Sequence, residues 1–330
     1  MYAYNPDRRG LSEVKLLKLE PWRLYPRGDD LATGFLAPPP SGETSGVRIT
    51  RQTPIASIGS CFAREIKHWL QANGYAFIET ATGPCTQAGS ARYDRVYNTF
   101  TLRQEFERAF GVFEPVEDRW DFIDEDGKRR LLDPHRKGVA WESEEEMAAE
   151  LAEHKANVRQ AFSTADILIM TIGQAEIWYH RADGSVYPLV PPVQVYDPAS
   201  HAFRMTTYEE NLANLERVFD LFTANNGGGH VIITVSPVPL RATFRPMNSL
   251  IANTATKSML RAVVDAFVTA HPDRVTYFPA YEIITLTEPD AYEDDNRHVR
   301  PVAVDHIMKL FERWFVAPAP TPAEPSSSSA

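Results

Sequence analysis

Four side chains in two short stretches have the types and order of an acyl-transfer site. Ser60 and Cys61 follow the apolar run at 54–58 and Gly59, and they stand where an amphipathic helical pattern begins. A hydroxyl or thiol on such a strand–turn–helix corner is exposed at the top of a sheet, and the helix dipole with its free N–H groups stabilises an anion beside it. The same setting lowers the pKa of a thiol. Further along, Asp295 and His298 have D-x-x-H spacing within EDDNRH at 293–298. In a turn, this spacing lets the carboxylate accept from one ring nitrogen while the other nitrogen faces a nucleophile, which is the orienting logic of a catalytic triad. Gly173 and Gln174 follow the apolar run at 167–172. A glycine there lets backbone approach a ligand, and its N–H, or the Gln174 amide, can serve an oxyanion. The acidic residues around Asp295 do not make a complete ligand set for a hard cation.

These residues need elements to hold them. The runs at 54–58, 167–172, 231–235 and 275–278 read as strands, and the second is continuously apolar, like a strand buried on both faces of a parallel sheet. Helical patterns alternate with them. Phe62, Ile66, Trp69 and Leu70 share one face and Gly74 ends that helix. A short helix is expected at 101–110, and Ser143 with Glu146 predicts a capping box opening another, with Met147, Leu151, Val158 and Phe162 on one face. Thr207 with Glu210 predicts a second box, and further helices fall at 249–270 and 303–316. Lys257, on the helix at 249–270, is expected to be exposed. Residues 119–133 read as a hairpin-like stretch around Asp124–Gly127, part of an insertion at about 115–140. Alternation of this kind predicts an α/β fold with a mostly parallel sheet and helices on both faces, whose ligands bind at the carboxyl ends of the strands.

The 330 residues carry 34 Lys and Arg against 44 Asp and Glu, a net charge of −10. Such a chain is a poor partner for nucleic acid or for an anionic membrane surface. No apolar run approaches bilayer length, and residues 1–10 lack a secretory apolar core, so the expected location is cytoplasmic. Two cysteines, Cys61 and Cys85, exclude a disulfide scaffold, and no spacing among the nine histidines indicates a metal site. Residues 1–50, rich in Pro, Gly and Arg, read as an irregular N-terminal extension. Residues 317–330, APAPTPAEPSSSSA, read as a disordered tail.

The order of these blocks resembles the SGNH/GDSL hydrolase superfamily: a small nucleophile after the first strand, oxyanion donors from middle blocks, and a late DxxH. The closer resemblance is to the GSCFA family, named for the motif that stands here as Gly59-Ser60-Cys61-Phe62-Ala63. It is carried also by YNTF at 97–100, TIGQAEIW at 171–178, TVSP at 234–237 and DDNRH at 294–298. The resemblance covers about residues 50–316, taken as a single domain of 51–316. It implies a flavodoxin-like, SGNH-hydrolase-like three-layer sandwich. Aligned on the glycine, Cys61 takes the nucleophile's position; sliding the gap keeps Ser60 there. Cys61 is preferred, because the residue opening the helix owns the usable N–H. The superfamily's GxND falls on residues 173–176, where Ala175 has no amide. Gln174, or Asn98 of YNTF, then has to stand in. The resemblance implies an ester hydrolase or O-acyltransferase without a cofactor, acting on a small-molecule or carbohydrate O-acyl ester. Two alternatives stay open: a non-catalytic glycan- or protein-binding module using the same cleft, and a thiol redox sensor at Cys61, against which the lack of a clear resolving cysteine counts.

Overall fold

The computed structural model describes residues 25–26, 47–83 and 88–316. The expected N-terminal extension lies almost wholly, and the expected tail wholly, outside the described residues, as does Cys85.

Four strands form the central sheet: β1 (Ile55–Gly59), β5 (Ile167–Ile172), β9 (His230–Val235) and β10 (Val275–Tyr277), in the order β1-β5-β9-β10. Every pairing is parallel. Beyond β1, the place of a further edge strand is held by one parallel bridge, Ile55 to Phe77. With that bridge counted, the order is the flavodoxin-like one, and the expected α/β sandwich is present. Its core splits by strand alternation, because successive side chains leave opposite faces. Ala56, Ile58, Leu168, Met170, Val231 and Ile233 pack on one face with α2 (Thr99–Ala109), α3 (Glu144–Thr164), α4 (Tyr208–Asn225) and α5 (Ser249–Ala270). Ile55, Ile167, Ile169 and Ile232 pack on the other with α1 (Cys61–Ala72) and α6 (Pro301–Phe315). Among the described residues, four long helices cover one face of the sheet, and two long helices with the helical turns at 280–287 cover the other.

Two antiparallel sheets lie outside this frame. One contains β2 (Trp120–Ile123), β3 (Arg129–Leu132) and β4 (Ala140–Trp141), with a turn closed by the Gly127 N–H on the Asp124 carbonyl. The other, in the order β7-β6-β8, contains β6 (Glu176–His180), β7 (Val186–Tyr187) and β8 (His201–Met205). This second sheet is not anticipated by the sequence reading, which takes the segment after Ile172 as a turn. The Thr207–Glu210 capping box forms with both of its bonds. The Ser143 box forms by half: Ser143 accepts from the Glu146 N–H, but the Glu146 carboxylate turns to the N–H of Glu142. Among the described residues, no helix is long and apolar enough to cross a membrane.

Candidate active site

The first candidate stretch sits where β1 and β5 come closest. A Cβ on Gly59 would stand 2.3 Å from Thr171 Oγ1 and 2.4 Å from the Thr171 carbonyl oxygen, so only glycine lets the strands meet there. The chain then turns into α1 with Ser60 as N-cap. Ser60 N–H donates to Thr171 Oγ1 at 2.8 Å, its Oγ lies 3.0 Å from that hydroxyl, and the same Oγ accepts from the Phe62 N–H at 3.3 Å. The Ser60 hydroxyl is thus buried and engaged as a cap. Cys61 opens the helix. Its N–H, one of the orphan donors of a helix start, meets no acceptor among the described residues. Its thiol is a free one.

The expectation of a low thiol pKa is corrected here. Burial pushes the Cys61 thiol above its ordinary value, and the opposing cations Arg95, Lys257, Arg64 and Arg297 do not cancel it.

The DxxH turn is built locally. The N–H of Glu293 bonds the carbonyl of His298, and Asn296 takes φ 54°, a conformation Asn tolerates better than most residues. Asp295 Oδ1 accepts from the N–H groups of Arg297 and His298, both at 2.9 Å, and its Oδ2 lies 2.5 Å from His298 Nδ1. Those backbone donors, with the His298 ring, hold the Asp295 carboxyl at about 2. A carboxylate only accepts, so the Nδ1 of His298 carries the proton and Nε2 is left as the basic nitrogen. Two bonds tie this turn to the loop after β9: Tyr292 Oη donates to the Pro237 carbonyl at 2.9 Å, and Arg297 reaches the Pro239 carbonyl at 3.4 Å.

One cavity of about 390 Å³ collects these ends. Ser60, Cys61, Gly173, Gln174 and His298 line it together, with Ser236, Val238 and Pro239 from the loop after β9. Asp295 does not line it but holds His298. Asn98 lines an adjoining cavity of about 410 Å³, whose walls include Trp178, Tyr187, Leu189, Val190, Phe203 and Phe244; Gln174, Leu189, Leu240 and Arg241 border both. A larger cleft of about 650 Å³, lined by Trp141 and four glutamates among others, contains neither nucleophile nor histidine.

The oxyanion donors differ from expectation. The N–H groups of Gly173 and Gln174 both donate to the Tyr97 carbonyl, at 2.9 and 3.0 Å, so the Gly173 N–H is already taken. The YNTF stretch does this as part of its packing: Val96 N–H bonds the Gly59 carbonyl, and Asn98 caps α2 by accepting from the Thr101 N–H. The side-chain amides remain. That of Gln174 bonds nothing among the described residues and faces both cavities, and the Nδ2 of Asn98 meets no acceptor there. Gln174 and the Cys61 N–H are the donors left open at the Cys61 cavity, and Asn98 Nδ2 is left open at the adjoining one.

Lys257 is the residue that sequence reasoning misplaced. It is fully buried, and its Nζ donates to the carbonyls of Gly173, Ser236 and Val238 at 3.1, 2.7 and 2.9 Å. All three lie on the strand-end loops that floor the Cys61 cavity. Burial pulls its ammonium down to about 7. The signal was present: Lys257 shares the helix face of Leu260 and Val264, at i+3 and i+7.

Compared with known proteins, the chain matches the model of the GSCFA family over residues 54–311. It belongs to that family. No curated protein matches it in sequence. Among solved structures it is similar to a carbohydrate esterase family 3 from Talaromyces cellulolyticus, with 10% identity over 79% of this chain and 95% of that one, at a TM-score of 0.39. In this GSCFA protein, no group of three or more His, Cys, Asp or Glu side chains is placed to hold a metal among the described residues.

Proposed function

We propose that this GSCFA protein is an ester hydrolase or O-acyltransferase that works through Cys61, His298 and Asp295 on an O-acyl ester, carbohydrate esters being one class it serves. The observation that carries this reading is the shared cavity: a histidine with its basic nitrogen defined by Asp295 lines the same space as a thiol at a helix N-terminus. The Cys61 sulfur attacks the acyl carbonyl and its proton passes to His298 Nε2. The Cys61 N–H and the Gln174 amide hold the oxyanion. The alcohol leaves with the proton from His298, giving a thioester on Cys61. Water, or a second hydroxyl, then gives its proton to His298 and takes the acyl group, and His298 returns that proton to the departing Cys61 sulfur. The raised thiol pKa fits this order, because the thiolate forms as His298 accepts the proton rather than standing ready beforehand.

Ser60 is assigned the cap, not the attack, since its hydroxyl is buried between Thr171 and the Phe62 N–H. Partners follow the cavity and remain small-molecule or carbohydrate esters. One observation favours the non-catalytic binding module: Tyr97 occupies the backbone donors after β5 that an oxyanion hole would use.

Rapid quenching with an activated acetyl ester, followed by mass spectrometry, decides between them. A thioester on Cys61 that is absent in His298→Ala supports the enzyme. No acyl adduct and no turnover of acetyl esters or acetylated sugars, with ligand still bound, supports the module.

A further inference from the structure

The chain is acidic, with a net charge of −10, yet four cations line the cavity before Cys61: Arg95, Lys137, Arg241 and Arg297. Among the described residues, no carboxylate lines it. Of the acids close by, Asp94 is shared at 3.8 Å by Arg95 and Lys137, and Asp295 is engaged by the His298 ring and the Arg297 N–H. Among the described residues, Arg241 and Arg297 form no ion pair with any acid, and Arg297 has only the distant Pro239 carbonyl. The Nε atoms of Arg95 and Arg297 are buried with no acceptor. An anion bound in the cavity meets the guanidinium groups that line it, and charge-assisted bonds from arginine to a carboxylate or phosphate are among the strong ones. A concave site lined by one sign of charge also concentrates ligands of the other sign, even on a protein of like overall charge. The oxyanion of acyl transfer does not account for the cluster, because the Cys61 N–H and the Gln174 amide already serve it. The adjoining cavity is mainly apolar, walled by Trp178, Phe203, Phe244, Leu189 and Val190, with Glu176 and the shared Arg241 at it as well.

We infer that the site selects an ester whose alcohol part carries an anionic group, a carboxylate or a phosphate, held by Arg95, Arg241 and Arg297 while the acyl group turns into the apolar cavity. The direction of the ester rests on the acyl-transfer reading above; the affinity for an anion does not. Arginine forks donate bidentately to both anions, so the chemistry is shared and the source is separable by experiment.

The test uses two matched pairs: an O-acetylated hydroxy acid against its methyl ester, and an acetylated sugar phosphate against the acetylated sugar. In wild type, kcat/KM favours the anionic member of one pair by roughly tenfold to hundredfold, mainly through KM. The pair that shows the preference tells carboxylate from phosphate. The ratio falls towards one in the Arg241→Gln/Arg297→Gln double variant, and also in wild type as salt is raised. If the double variant does not fold, Arg241→Gln alone and the salt series on wild type decide the matter, since Arg241 is exposed. Equal handling of both members of both pairs, or a preference untouched by these changes, overturns the inference. If nothing is turned over, calorimetry of the same four compounds with Cys61→Ala separates the two readings. Tighter binding of an anionic member keeps this inference while the catalytic reading falls. Binding without preference, or no binding, removes this one as well.

Discussion

The Nζ of Lys257 lies 3.1 Å from the carbonyl of Gly173 and 2.7 Å from that of Ser236, so one buried ammonium ties the end of β5 to the end of β9 directly behind the Cys61 cavity. Those two loops bring Gln174 and the Pro237–Pro239 wall to the site. Past the last backbone bond between the two strands, from the Ser236 N–H to the Ile172 carbonyl, this side chain continues the link between the loops.

Lys257 makes stability pH-dependent in a defined direction. Its ammonium falls from 10.5 in the ordinary state to about 7 in the fold. Below that window both folded and unfolded chains hold the proton, above it neither does, and inside it only the unfolded chain does. Wild type therefore gains stability over Lys257→Met as pH rises through the window, with a slope of up to about 1.4 kcal/mol per pH unit. Urea midpoints of both proteins at several pH values measure it. A flat difference would mean that the three carbonyls hold the proton on throughout.

Gly59→Ala places a methyl group inside the contact with Thr171. Both strands carry the core on either face, so neither can move away freely. The variant loses about 3 kcal/mol or more, or does not accumulate in soluble form. An unchanged melting midpoint would contradict the close approach.

Ser60 and Cys61 are separable by substitution. Ser60→Ala removes the α1 cap and costs about 1 kcal/mol of stability while leaving measurable turnover. Cys61→Ala abolishes turnover with little effect on melting. The reverse pattern of activities would make Ser60 the nucleophile.

Asp295→Asn can donate to His298 Nδ1, which moves the ring proton to the wrong nitrogen. We expect kcat to drop roughly a thousand- to ten-thousandfold with KM little changed. Because Asp295 titrates at about 2, the pairing is intact above the ordinary aspartate range and is lost only as pH falls towards that value. The acid limb of the rate profile therefore does not belong to Asp295. A limb that shifts in the Asn variant while kcat stays high would speak against the orienting role.

Gln174→Leu removes the open side-chain donor and keeps the bulk. Turnover falls about a hundred- to thousandfold, in kcat more than in KM. If activity is untouched, with Asn98→Leu lowering it instead, the oxyanion lies towards the adjoining cavity.

Much of the frame is legible without coordinates because its signals are local. The runs at 167–172 and 231–235 are continuously apolar, and only a strand with helices on both faces buries such a run. The Asp295–His298 pair is local too: three residues of a tight turn bring carboxylate and imidazole together whatever the rest of the chain does. The sheet of β6, β7 and β8 is not legible, since its strands are short and mix charged with aromatic residues. β6 also pairs with β8 across the segment that holds β7, so its register depends on partners distant in sequence.

The sequence by itself determined the strand–turn–helix corner at Gly59–Cys61, the DxxH turn and the succession of strands that puts both at one sheet edge. Each follows from spacing, period or capping within a few residues. Only the tertiary structure decided which polar groups remain available there. The Gly173 N–H is spent on the Tyr97 carbonyl, the Ser60 hydroxyl on Thr171 and the Phe62 N–H, and Lys257 on three carbonyls from two loops. Apart from the Phe62 cap, these partners lie on other elements. A hydrogen bond between distant segments is selected by how the layers pack, not by the residues flanking either end.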